Sequence, residues 1–126
     1  MEFDSQICTT EEQSKRLLAM GLKRETADCV MMYYDGWHIG EAEHFDFDKD
    51  PVEPAWSLHR LIKMMPTIVN PVRDLFVSNK SVEYQMSEGR TTHMFASENN
   101  VYDNIINCIE WLIGSGKFNE NYLDIH

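Results

Sequence analysis

The sequence predicts an α+β fold: a mainly antiparallel sheet, made of a hairpin and a three-strand meander, with about three helices packed on one face. Three observations carry this. Apolar residues recur at helical spacing near the start, the middle and the end of the chain. Between the second and third of these stretches, Val82, Tyr84 and Met86 alternate with Glu83 and Gln85, the period of a strand with one buried face. No strand-helix-strand unit repeats, which argues against a parallel, doubly wound sheet. The expected order is α-ββ-α-βββ-α in a single domain over residues 1–126, with an ordered core at 7–116 and a C-terminal tail at 117–126.

The first helix is expected over residues 11–20. Thr9 with Glu12, or Thr10 with Gln13, has capping-box spacing, and Glu11 and Glu12 suit the positive end of a helix. Ser14, Leu17 and Leu18 form a narrow inner face, and Gly21 supplies the stop. Residues 29–34 read as a buried strand, Asp35-Gly36 as a type I′ turn, and Trp37-His38-Ile39 as the return strand. From Gly40 to Pro54 the chain holds six acids and two prolines and reads as loop, with a short edge strand permitted by the alternation at Phe45 and Phe47. Pro54-Ala55-Trp56-Ser57 opens the second helix, with Ser57 as N-cap and Leu58, Leu61, Ile62 and Met65 on its apolar face. Pro66 ends it. Arg73–Ser78, Val82–Met86 and Thr91–Ala96 form the meander, turning at Asn79-Lys80 and at residues 87–90. In the last helix Val101, Ile105, Cys108, Ile109 and Leu112 make one stripe, closed by Gly114 and Gly116.

Charge narrows the function classes. The formal net charge is −10, with 21 acidic residues against 11 Lys and Arg. The only net-positive stretch, 55–96, has five cations diluted by three acids. Direct nucleic-acid binding wants a basic patch that releases counterions, so this balance argues against it. An acidic surface suits basic partners. No apolar run is long enough to span a membrane. The first residues lack the basic and apolar regions of a secretory signal, and three cysteines without a CxxC pair read as reduced thiols. The expected location is cytoplasmic.

The chemistry-bearing residues fit no enzyme motif. Asp46, Asp48 and Asp50 alternate, and in an extended chain would share one side, an arrangement hard cations favour. An EF-hand loop begun at Asp46 fails, because Pro51 and Ser57 stand at its glycine and glutamate places. His38, Glu41, Glu43 and His44 are transition-metal ligand types, but their spacing matches no helical HExxH pattern. Cys8 precedes a helix start that would favour thiolate, yet no histidine can be placed beside it. Gly114-Ser115-Gly116-Lys117 follows a helix, whereas a phosphate loop precedes one, so helix termination explains it better. No catalytic residue, metal site or cofactor is therefore assigned. The aromatic groups Tyr33-Tyr34-x-x-Trp37 and Trp56 read first as core packing, and second as an exposed patch beside the acidic loop. On that second reading Tyr34, Trp37, His38, Asp46, Asp48 and Trp56 would bind a partner.

Four patches carry a resemblance. They are Cys8-Thr9-Thr10-x-Glu12-Gln13-Ser14 with Leu17-Leu18; Ala27-Asp28-x-x-Met31 with Tyr33-Tyr34-x-x-Trp37; Pro54-Ala55-Trp56-Ser57-Leu58 with Leu61-Ile62; and Trp111-Leu112-Ile113 before glycine. In this order, over residues 7–116, the chain resembles a family of small accessory proteins from bacteriophages and integrated mobile elements of gut bacteria. The resemblance implies a cytoplasmic accessory role and assigns no activity. Met31-Met32 and the Gly40–Asp50 segment depart from the family pattern, so a function tied to that segment would be particular to this chain.

The leading expectation is a non-enzymatic interaction protein that binds a host or phage protein, in its sharper form an acidic mimic of nucleic acid. A metal-dependent or hydrolytic enzyme built on His38–Asp50 and a structural virion component are the alternatives. The sequence carries no signal of oligomeric state.

Overall fold

A computed structural model describes residues 6–33, 36–69, 73–86, 90–96, 98 and 100–124, with only the backbone of Trp37, Val69 and Thr92. The fold is α+β, with every sheet pairing antiparallel. Helices and strands follow the expected order, with two short strands added. The hairpin and the meander belong to two different sheets. The chain divides into two compact units, Met1–Leu61 with Asn121–His126, and Ile62–Glu120.

In the first unit, α1 spans Glu11–Ala19. The Thr10–Gln13 alternative is the capping box formed: Gln13 N donates to Thr10 Oγ1 at 3.2 Å, and Thr10 N donates to Gln13 Oε1 at 3.0 Å. The helix ends where Gly21 takes φ +104°, a conformation that an L side chain resists. Gly21 N then donates to Leu18 O and Leu22 N to Leu17 O, and Leu17 and Leu22 are both buried at that end.

The three-stranded sheet runs β2-β1-β3, with β1 Cys29–Tyr33, β2 Trp37–Glu41 and β3 Glu53–Ala55. Tyr33 pairs with Trp37, so three residues connect the strands rather than the two of a type I′ turn. Tyr34 and Asp35 lie outside the described residues. The short strand permitted at Phe45 and Phe47 forms instead at Glu53–Ala55, where Pro54 is tolerated because β3 is a sheet edge.

Trp56 follows at once and is fully buried. Its indole Nε1 donates to Thr26 Oγ1 at 2.9 Å, so the one polar atom of the side chain is satisfied inside the core. Beyond it, α2 spans Leu58–Met64 and carries the boundary between the units. Ser57 caps it as expected, its Oγ accepting from Arg60 N at 3.1 Å. The end of the tail docks on the first unit: Lys23 N donates to Tyr122 O, Asp124 N to Gly21 O, and the Arg60 guanidinium lies over the Tyr122 ring.

In the second unit four strands run β4-β5-β6-β7: Ile68–Val69, Arg73–Val77, Val82–Met86 and Thr91–Phe95. The helix α3, Val101–Gly114, packs on one face. Val82 and Tyr84 are buried there with Ile105, Cys108, Ile109 and Leu112. Asn100 caps α3, accepting from Tyr102 N and Asp103 N. Gly114 is the last residue of α3 and Gly116 ends it: Gly116 has φ +69° and donates to Ile113 O, and Lys117 N donates to Leu112 O. The opposite face of the sheet carries Phe76, Glu83 and Met94 in cross-strand register, with Phe76 and Met94 exposed.

Candidate functional site

The first unit holds an open cleft of about 730 Å³, and segments far apart in the chain build it. Glu25 comes from the short 3-10 turn Arg24–Thr26, and Ala27 to Cys29 lead into β1. Glu41 ends β2, Ala42 and Glu43 lie on the 3-10 turn Ala42–His44, and Phe45 and Phe47 follow. Four carboxylates, Glu25, Asp28, Glu41 and Glu43, therefore line the cleft with a half-buried aromatic pair; among the described residues no Lys, Arg or His lines it, but Arg24 stands beside it, pairing with Glu25 at 3.3 Å and lying 5.8 Å over the Phe47 ring. With four carboxylates against the neighbouring Arg24 guanidinium, the cleft keeps a negative potential.

Local geometry fixes its walls. Ala42 N donates to Asp28 O at 3.0 Å, which ties the turn after β2 to the entry of β1. Phe45 seats on Gly40, close enough that a Cβ there would stand 3.1 Å from its ring. Asp28 is committed to α2: it accepts from Ser57 N at 2.9 Å and from the Ser57 hydroxyl. Cys29 is the direct cross-strand neighbour of Glu41. Burial, then Asp28, push its thiol up to about 12. Burial likewise raises Cys8, with Asp28 adding to it, and pushes Cys108 up to about 12. The thiolate favoured for Cys8 by the helix start is thus opposed by its burial, and none of the three thiols is primed as a nucleophile.

The residues singled out from the sequence are dispersed. Trp56 is interior, so the surface-anchor reading is corrected in favour of core packing. Tyr34 falls outside the described residues, and of Trp37 only the backbone on β2 is described. His38 is half-buried and pairs with Met32, on the sheet face opposite Glu41. Asp46 and Asp48 are exposed but do not line the cleft. Their segment is a turn, not an extended run, so Asp46, Asp48 and Asp50 do not present one row of carboxylates. Asp48 N donates to Asp46 Oδ1, Asp46 N donates to Asp50 Oδ2, and the Asp48 carboxylate pairs with Arg24.

Sequence reasoning missed Glu25 and Asp28. No local pattern marks them, because they join Glu41 and Glu43 only through the β1–β2 pairing. Tyr33 belongs to the aromatic group read first as packing and second as an exposed patch; it stands outside the named candidates, yet it is exposed on β1.

Compared with protein-family models, curated proteins and solved structures, the chain matches no family model and shows no significant similarity to a curated protein or a solved structure. No helix among the described residues is long and apolar enough to cross a membrane.

Proposed function

We propose that this chain is a non-enzymatic interaction module that takes a basic segment of a partner protein into the acidic cleft of its first unit. The observation that carries the reading is the cleft itself. Four carboxylates line it with Phe45 and Phe47; the aromatic rings suit the apolar stems of Lys and Arg, and Arg24, 5.8 Å over the Phe47 ring, already makes there the cation–π contact that a basic partner residue would make with Phe45. Such a surface repels phosphate, which speaks against direct nucleic-acid binding and for a protein that itself carries basic residues. A nucleic-acid-binding host protein is one such partner. The cysteines, held as thiols, add no catalytic nucleophile. The resemblance along residues 7–116 supports a cytoplasmic accessory protein of a phage or mobile element, the setting in which a host protein would be the target.

The test is fluorescence polarisation with a labelled Lys/Arg-rich peptide and an acidic peptide of equal length. The basic peptide binds, the acidic one does not, and binding weakens as salt rises. The double substitution Glu25→Gln/Glu43→Gln weakens it about fivefold, given roughly 0.5 kcal/mol for each partly exposed charge pair. The control Glu110→Gln/Glu120→Gln, which removes the same charge elsewhere, changes little. Equal losses from both double variants would reduce the effect to net charge and overturn the reading.

A further inference from the structure

We infer that Glu41, Glu43 and His44, at the rim of this cleft, hold a divalent transition-metal cation of the zinc class. The inference rests on reading the cleft as a cation-receiving face and names a second cation for it. The junction of β2 with the following 3-10 turn produces the site. Glu41 closes β2 and caps the 3-10 turn Ala42–His44, so His44 follows it by three positions, the spacing at which residues of a 3-10 turn eclipse, and Glu43 stands beside His44 on that turn. A search for helical ligand spacing passes over this set.

One donor atom from each residue lies within 4.8 Å of the others. His44 Nε2 stands 3.2 Å from Glu41 Oε2 and 3.7 Å from Glu43 Oε1. Ligands about 2.1 Å from a tetrahedral ion sit roughly 3.4 Å apart, so these two pairs are already near coordination spacing. The three donors lie within four consecutive residues, and the backbone of their turn is tied by the bond from Ala42 N to Asp28 O, so little backbone order must be gained on binding. An imidazole nitrogen with two carboxylates suits Zn²⁺ or Co²⁺. Ca²⁺ and Mg²⁺ prefer all-oxygen shells of six or more ligands. Cys29 lines the same cleft as the cross-strand neighbour of Glu41, outside the three-donor group.

The experiment is calorimetric titration of the chelator-treated full chain with Zn²⁺, Co²⁺, Mg²⁺ and Ca²⁺, with the basic-peptide assay run on the same preparations. Zn²⁺ and Co²⁺ bind at one ion per chain, and Mg²⁺ and Ca²⁺ at least about tenfold more weakly. His44→Ala and, separately, His44→Gln lower Zn²⁺ affinity about tenfold or more while leaving peptide binding intact. His44 is exposed, so both variants fold. Absence of Zn²⁺ binding, or binding unchanged in both His44 variants, overturns the metal site. Peptide binding that persists in that case leaves the cleft reading standing, and Zn²⁺ binding without peptide binding overturns the partner reading alone.

Discussion

Thr9 and Trp56 hold each other by two hydrogen bonds: Thr9 N donates to Trp56 O at 2.9 Å, and Trp56 N donates to Thr9 Oγ1 at 3.0 Å. Thr9 Oγ1 also lies 2.8 Å from Ser14 Oγ, so one hydroxyl links the approach to α1, the helix itself and the residue after β3. All of this is buried.

That link makes Thr9→Val costly despite the matched shape. It strands the buried Trp56 N–H, a loss of about 1–3 kcal/mol. Trp56→Ala empties the largest core position and costs about 3–5 kcal/mol. Urea unfolding measures both. A Trp56 variant of unchanged stability would return that residue to the surface.

Gly21 is the stop of α1 because of its backbone, not for lack of room. The nearest atom to a Cβ there is Asp124 O at 3.9 Å. Gly21→Ala therefore destabilises by about 1 kcal/mol through conformation alone, and Gly21→Asn by less, since Asn tolerates left-handed geometry better. Thermal melts of the two variants give the order.

His93 makes the molecule sensitive to acid. Its ring centroid is 4.1 Å from that of Trp111, and its Nδ1 lies 2.9 Å from Arg73 Nη1, a donor, so Nδ1 accepts and the ring is neutral. Burial, then Arg73 and Lys117, hold its pKa below the ordinary 6.5. The unfolded chain then binds more protons at mildly acidic pH. The contribution of His93 is complete above pH 6.5 and is lost as pH falls through the lower folded value. Denaturation series from pH 8 to 5 show this loss, and His93→Gln removes that part of it.

Thiol reagents give a further check. With Cys29 and Cys108 pushed up to about 12 and Cys8 raised and buried, the native chain reacts slowly at pH 7.5, and the denatured chain reacts fast at three sites. One rapidly labelled cysteine in the native chain would point to a primed nucleophile.

Much of the fold is written locally, which is why it can be read from the chain. Thr10 and Gln13 cap α1 within four residues, Gly21 and Gly116 end helices by their own φ, and Val82, Tyr84 and Met86 alternate as one strand. What escapes a reading along the chain depends on pairing. For Trp56 the sequence leaves core packing, its first reading, and a surface patch both open, and burial with hydrogen bonds to Thr9 and Thr26 decides for core. Asp46, Asp48 and Asp50 are the conspicuous acids, yet they are spent on their own turn and on Arg24. The cleft acids are Glu25 and Asp28 joined to Glu41 and Glu43 across a hairpin, and one-dimensional spacing carries no trace of that.

The most direct test of the acidic cleft is a ¹⁵N–¹H NMR titration of the full chain with the Lys/Arg-rich peptide. Shifts confined to residues 25–29 and 41–47, and suppressed by salt, are the predicted result. Shifts centred on Phe76, Glu83 and Met94 of the second unit, with residues 25–29 and 41–47 unmoved, would contradict it.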